Sequence, residues 1–166
     1  MAATLPTMTT DYFQVRLYSQ AAVPELERSR PLIPLGDIAE IVTVQRQDIC
    51  ALPGVPQGIV GVLNLRGQLI WAMDLRQLNR SWVPESRPNP QGKVTLVLVT
   101  SDQGQVGCIA DELLGIATCD PAVMQGIAPN FRTAYAFCDR QIEQDSKHTG
   151  LVIDTRQLFR HLSLMA

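Results

Sequence analysis

The first candidates for acid–base chemistry in this chain are His148 and His161, its only histidines. His148 lies in the polar run Asp145-Ser146-Lys147-His148-Thr149, and His161 directly follows Arg160. A general base must reach a nucleophile or a metal set, and neither histidine is flanked by one. Both read as surface histidines. Asp111-Glu112 is an acidic pair, but neighbouring strand residues face opposite sides, so the two carboxylates do not converge on one atom. Gly58-Ile59-Val60-Gly61 has glycines suited to a phosphate loop, yet the later Gly-Lys-Ser/Thr is missing. Cys50, Cys108, Cys119 and Cys138 are irregularly spaced with no CxxC. They read as reduced, mostly buried thiols rather than disulfides or metal ligands. No catalytic, cofactor-binding or metal-binding set is therefore expected.

The polar residues that stand out lie between Gly58 and Arg76. Two apolar runs meet there at Arg66-Gly67, where glycine supplies the positive φ that a tight hairpin turn requires. By strand alternation, Asn64 and Arg66 fall on the side shared by Val60 and Val62. A cation on a mostly apolar strand needs a partner. Glu40, an acid within Ile38-Ala39-Glu40-Ile41-Val42, is the proposed one. If buried, losing one partner of this pair costs about 3–5 kcal/mol. If exposed, the pair is worth under ~1 kcal/mol. Trp71 is expected to pack in the core beside Leu69 or Met73.

The elements that position these residues are mostly short strands. Tyr12–Tyr18 alternates, with Phe13, Val15 and Leu17 on one face. Gln20–Pro31 reads as a long loop, Gly36–Glu40 as a short helical turn, and Ile41–Val44 as a strand. Asp74 is a good cap for the segment after the hairpin. Val94–Thr100 reads as a strand buried on both faces. Val106–Ala110, Leu113–Thr118, Ala134–Ile142 and Gly150–Ile153 complete the set. Thr155–Leu164 reads as a helix with Leu158, Phe159 and Leu162 on its apolar stripe. Met73-Asp74-Leu75-Arg76-Gln77-Leu78 echoes Ile153-Asp154-Thr155-Arg156-Gln157-Leu158 at four of six positions. The echo fits either a shared strand-and-cap device or two related β modules.

Composition sets the outer limits. The chain has 166 residues, 46% of them hydrophobic and 18% charged, with a formal net charge of -2. That is enough for one cored domain, and no Lys/Arg cluster offers a nucleic-acid surface. The N-terminus lacks a secretory signal, and no run is long enough to span a membrane, so a cytoplasmic location is expected. Residues 1–11 read as a flexible tail and 12–166 as one domain of two β subdomains. A proline-rich linker at about 79–92 separates the halves. The fold class is mainly β, barrel or sandwich.

The run Pro56-x-x-Ile59-x-Gly61-Val62-Leu63-Asn64-Leu65-Arg66-Gly67, followed by Asp74-Leu75-Arg76, resembles the core motif of CheW-like chemotaxis coupling proteins. Ile38-Ala39-Glu40-Ile41, Val106–Asp111 and Gly150–Leu158 resemble further segments of that family. The resemblance implies two interlocked five-stranded β-barrels with a short C-terminal helix. It implies a non-enzymatic adaptor without cofactor, at membrane receptor arrays. Its partners would be a methyl-accepting chemoreceptor tip and the regulatory domain of a CheA-type histidine kinase. Ile38 and Gly61 match family positions linked to receptor binding. Glu40 and Arg66 match a structural acid–arginine pair, and Asn64, Leu65, Gly67 and Asp74 match the motif.

Three features depart from the family. Trp71 stands where proline is usual, Gln20–Pro31 replaces the first hairpin, and Asn130–His148 fits poorly. Tryptophan at that place resembles versions from cyanobacterial pilus-motility and phototaxis clusters. The alternatives are a standalone regulatory module outside taxis, a small hydrolase and a sheet-forming structural subunit.

Overall fold

The computed structural model describes residues 8–17, 28–78, 92–129 and 137–163. The linker expected at 79–92 lies outside them except for Gly92, as do residues 1–7 of the expected tail. Among the described residues eleven strands are formed: β1 Thr10–Arg16, β2 Ser29–Pro34, β3 Ile38–Gln45, β4 Ile59–Leu65, β5 Gln68–Met73, β6 Lys93–Ser101, β7 Gly104–Ala110, β8 Glu112–Cys119, β9 Gln125–Gly126, β10 Cys138–Glu143 and β11 Thr149–Ile153. The α-helix α1, Thr155–Ser163, closes the described chain.

The strands form a six-stranded sheet ordered β8-β1-β2-β11-β10-β9 and a five-stranded sheet ordered β3-β6-β7-β5-β4. The two orders are the same pattern. Each sheet takes a hairpin (β1–β2 or β6–β7) from one half of the chain. An edge strand and a second hairpin come from the other half. In both sheets the parallel contact joins the two hairpins, β2 to β11 and β7 to β5, and the remaining pairs are antiparallel. Even the sixth strand has a counterpart. β9 pairs with β10, and Cys50 makes an isolated antiparallel bridge to Val62 of β4. The chain is thus two related halves that have exchanged hairpins, which interlocks the sheets.

Burial follows from this exchange. The largest core lies between the sheets and draws Val15, Ile33, Leu151 and Ile153 from one and Met73, Val97, Val99 and Val106 from the other. Each sheet also encloses its own core, Leu63, Ile70, Leu96 and Leu98 in the second and Tyr12, Leu32 and Val152 in the first. β6 feeds two cores by alternation, Leu96 and Leu98 to one side and Val97 and Val99 to the other. Fully burying one such side chain contributes about 1.5–3 kcal/mol. On α1, Leu158 and Phe159 enter the shared core and Leu162 packs against it.

Several expectations shift. Ser29–Pro31 belong to β2 rather than to a loop. Proline is accommodated because β1 pairs only from Leu32 onward, so no donor is required of Pro31 on that side. The short helical turn covers Leu35–Asp37, and Ile38–Glu40 already belong to β3. β1 begins at Thr10. The expected strand at Ala134–Ile142 is described only as Cys138–Glu143, with residues 134–136 outside the described set.

Candidate functional site

The β4–β5 hairpin closes through a two-residue turn in which Arg66 and Gly67 have φ of 51° and 85°. Both left-handed residues together make the mirror-image turn that suits the right-handed twist of a hairpin. The backbone N–H of Gly67 donates to Asn64 Oδ1 at 2.9 Å, so Asn64 holds the turn with its side chain. Leu65, opposite Gln68, packs on the core of the second sheet. The expected alternation fails at one point. A bulge falls between Ile59 and Gly61, and Val60 turns to the second sheet's core, away from Asn64. The same bulge recurs at Cys138/Arg140 in β10.

Glu40 and Arg66 are in contact. They join β3 to the β4–β5 turn, the two edges of the five-stranded sheet. Their side chains are 36% and 67% exposed, so the low-energy alternative applies. In solvent the Coulomb gain is screened and opposed by side-chain entropy. Glu40→Ala and Arg66→Ala are each expected to lower stability by under ~1 kcal/mol in urea melts. The difference should fade in high salt. A cost above ~2 kcal/mol for either variant would contradict this assignment.

The edges are joined more firmly farther along. Cys50 and Val62 exchange two backbone hydrogen bonds, 2.7 and 2.9 Å. Gly61 is buried beneath this bridge, and a Cβ there would stand 2.2 Å from the Cys50 carbonyl oxygen. Glycine is therefore required by the close approach of two backbones. Gly61 is itself buried, whereas Ile38 is half-buried and packs against the shared core, as do Phe13 and Ile41. Opposite Phe13 stands Ile116, 62% exposed. Phe13, Ile38 and Ile41 each leave part of their apolar surface outside the shared core, and Ile116 adds an exposed one beside Phe13. Phe13 and Ile116 carried no motif in the sequence. Only the β1–β8 register, set by residues far apart in the chain, brings them together.

Trp71 is half-buried against the shared core and lines a recess of about 220 Å³ with Gln103, Gln105, Phe159 and Leu162. That is smaller than the roughly 300–1,000 Å³ of ordinary small-molecule sites. Leu69, expected as a core neighbour of Trp71, is instead 76% exposed: it shares the strand face of Trp71 and Met73 but lies toward the hairpin tip, before β5 begins to pair with β7.

Asp74 is buried, its side chain 5% exposed. It accepts from the backbone N–H of Arg76 at 3.0 Å and caps a 3-10 turn over Leu75–Leu78. The Arg76 guanidinium pairs with it at 2.7 Å and reaches Asp111 at 3.7 Å. Asp111 precedes β8, so this cluster ties one half of the chain to the crossover of the other. Asp154 repeats the cap on Arg156 at 3.0 Å. There the crossover acid is Asp37, which accepts from Thr155 Oγ1 at 3.1 Å. The sequence echo therefore marks equivalent positions in the two halves.

Both histidines are engaged. His161 Nε2 donates to the Gln57 carbonyl at 2.6 Å, fastening α1 to the loop before β4. His148 contacts Asp145 through Nδ1 and Arg30 through Nε2. An Asp–His pair invites a catalytic reading, but a guanidinium occupies the nitrogen that would take a nucleophile's proton. The four thiols are free. Cys108 is buried, and desolvation pushes its thiol up to about 12. Cys50 is exposed, against the expectation of mostly buried thiols. Among the described residues no His/Cys/Asp/Glu group could hold a metal, and no helix is long and apolar enough to cross a membrane.

Comparison with known proteins adds the family. A family model for the CheW-like domain matches residues 21–163. The crystal structure of the scaffolding protein TtCheW from Thermoanaerobacter tengcongensis is similar, with a TM-score of 0.66 and 20% sequence identity. The match covers 89% of this chain and 90% of that one. No curated protein matches by sequence.

Proposed function

The chain belongs to the CheW-like domain family, and from that premise we propose that it couples a chemoreceptor's cytoplasmic tip to a CheA-type histidine kinase. The match of the family model to residues 21–163, on a fold of two interlocked sheets, carries the reading. An adaptor works by holding two partners at once, so it needs two surfaces in fixed relation and no reacting group. The exchanged hairpins and the common core supply a rigid relation between the sheets. The half-buried Ile38 offers apolar surface to a receptor of the kind that supplies binding hot spots. The kinase is engaged through its own regulatory domain, and its output then follows receptor state. The setting is cytoplasmic, at membrane receptor arrays. Trp71 favours a pilus-motility or phototaxis system over a flagellar one.

In this reading Ile38 and Gly61 act differently. Ile38 touches the receptor, whereas Gly61 acts by keeping the second sheet closed. Ile38→Lys is expected to weaken binding of a receptor cytoplasmic fragment at least tenfold, about 1.4 kcal/mol or more. Binding of the kinase regulatory domain and the circular dichroism spectrum should be unchanged. Calorimetric titration with each fragment separately checks this. Undiminished receptor binding by Ile38→Lys would remove Ile38 from the interface. A loss of both partners together would point to damage to the fold.

A further inference from the structure

The turn between β10 and β11 is built around one histidine. Asp145 accepts from the backbone N–H groups of Lys147 at 2.7 Å and His148 at 2.8 Å, and its two oxygens stand 2.9 and 3.0 Å from His148 Nδ1. On the other side of the ring, Nε2 lies 2.8 Å from Arg30 Nη2. A guanidinium has only donors, so Nε2 must present a lone pair. Nδ1 then carries the proton and donates it to Asp145. The neutral ring protonated on Nδ1 is the state that satisfies both neighbours.

The position gives this contact a mechanical role. Arg30 sits opposite Gly150 in the parallel β2–β11 register, near the start of β2. β2 is a central strand, with β1 on one side and β11 on the other. The Arg30–His148 contact therefore fastens the tip of the β10–β11 hairpin to the strand that both ladders depend on.

We propose that His148 is a pH-sensitive staple that binds Arg30 when neutral and releases it when protonated. When Nε2 gains a proton, the contact becomes donor against donor and cation against cation. Asp145 is held below the usual carboxylate range, first by its hydrogen bond from the His148 side chain. It stays ionised through the transition and keeps the imidazolium. Acid thus converts a bridge between two strands into a pair confined to one turn. Among the described residues, the charged groups in contact with the ring are Arg30 from β2 and Asp145 from the turn itself, and Arg28, just before β2, is exposed. Glu143 and Lys147 on the same hairpin are exposed, and Gln144 meets Gln14 of β1 at 3.1 Å without a titrating group. The sign follows directly. The staple is complete while the ring is neutral and lost once it is protonated, so acid opens it.

Nitrogen NMR on the labelled full chain tests this. At pH 8 the His148 ring is expected in the Nδ1–H form, opposite to the form that free histidine prefers. As the pH is lowered to 5, the Arg30 side-chain signals should move with the same midpoint as the ring. Amide exchange at Ser29 and Arg30, corrected for its intrinsic pH dependence, should rise several-fold. His148→Gln should abolish that midpoint in the Arg30 signals. If that variant does not fold, Arg30→Gln provides the second arm, in which the ring should revert toward the Nε2–H form. An Nε2–H ring in the wild-type protein at pH 8 would overturn the proposal, as would Arg30 signals that ignore the His148 titration.

Discussion

Arg76→Ala is expected to lower the free energy of unfolding by about 3–5 kcal/mol. The guanidinium is 15% exposed and the Asp74 carboxylate that it meets is 5% exposed. Removing the arginine leaves Asp74 buried with its countercharge gone. The remaining backbone donor, the N–H of residue 76, cannot balance a whole charge. The loss also frees Asp111, at the crossover into β8, from its link to the other half. The molecule contains its own control. Arg156 occupies the equivalent place on Asp154, but its side chain is 83% exposed. Arg156→Ala should change stability by no more than about 0.5 kcal/mol. Urea melts of the two variants side by side measure the difference. Equal small effects would mean that Arg76 is as well solvated as Arg156 and that the cluster does not clasp the halves.

The second large effect is at Gly61. Gly61→Ala places a methyl carbon against the Cys50 carbonyl oxygen and carbonyl carbon, at 2.2 and 2.7 Å. These are backbone atoms, so no side-chain rotation relieves the clash. Either the Cys50–Val62 bridge opens or β4 bends. Overpacking of this kind costs about 1–3 kcal/mol, and Gly61→Val should exceed Gly61→Ala. Hydrogen exchange should locate the damage at the Cys50 and Val62 amides, which now bond across the bridge. Gly36→Ala is the comparison, since a Cβ there meets nothing within 4 Å. A Gly61→Ala protein as stable as the wild type would show that the bridge has slack. A variant that is stable yet fails to bind receptor would return Gly61 to the contact surface.

Much of the fold was legible because local rules and burial agree. Val94–Thr100 reads as doubly buried from its β-branched run, and β6 does serve two cores. The Arg66-Gly67 turn and the α1 stripe follow from a positive-φ requirement and helical spacing. What was not legible depends on register between distant segments. No local signal places Val60 on the bulge, and a one-residue shift reverses every later side chain. Ser29–Pro31 look like loop until β11, more than a hundred residues away, arrives beside them. The Glu40–Arg66 contact was readable as a pairing of opposite charges on an apolar background. Its exposure was not, because that depends on how the two sheet edges meet. The short echo between Met73–Leu78 and Ile153–Leu158 hinted at duplication. Only strand order shows that the whole arrangement repeats with exchanged hairpins.

In the role proposed above, this chain transmits receptor state to a kinase without chemistry of its own. Reconstitution with labelled ATP, a CheA-type kinase and a receptor fragment array tests it most directly. With the chain present, kinase phosphorylation should become dependent on receptor and respond to receptor state, while the chain itself acquires no label. Kinase output that is the same with and without the chain would contradict the claim. So would stable phosphate on His148 or His161.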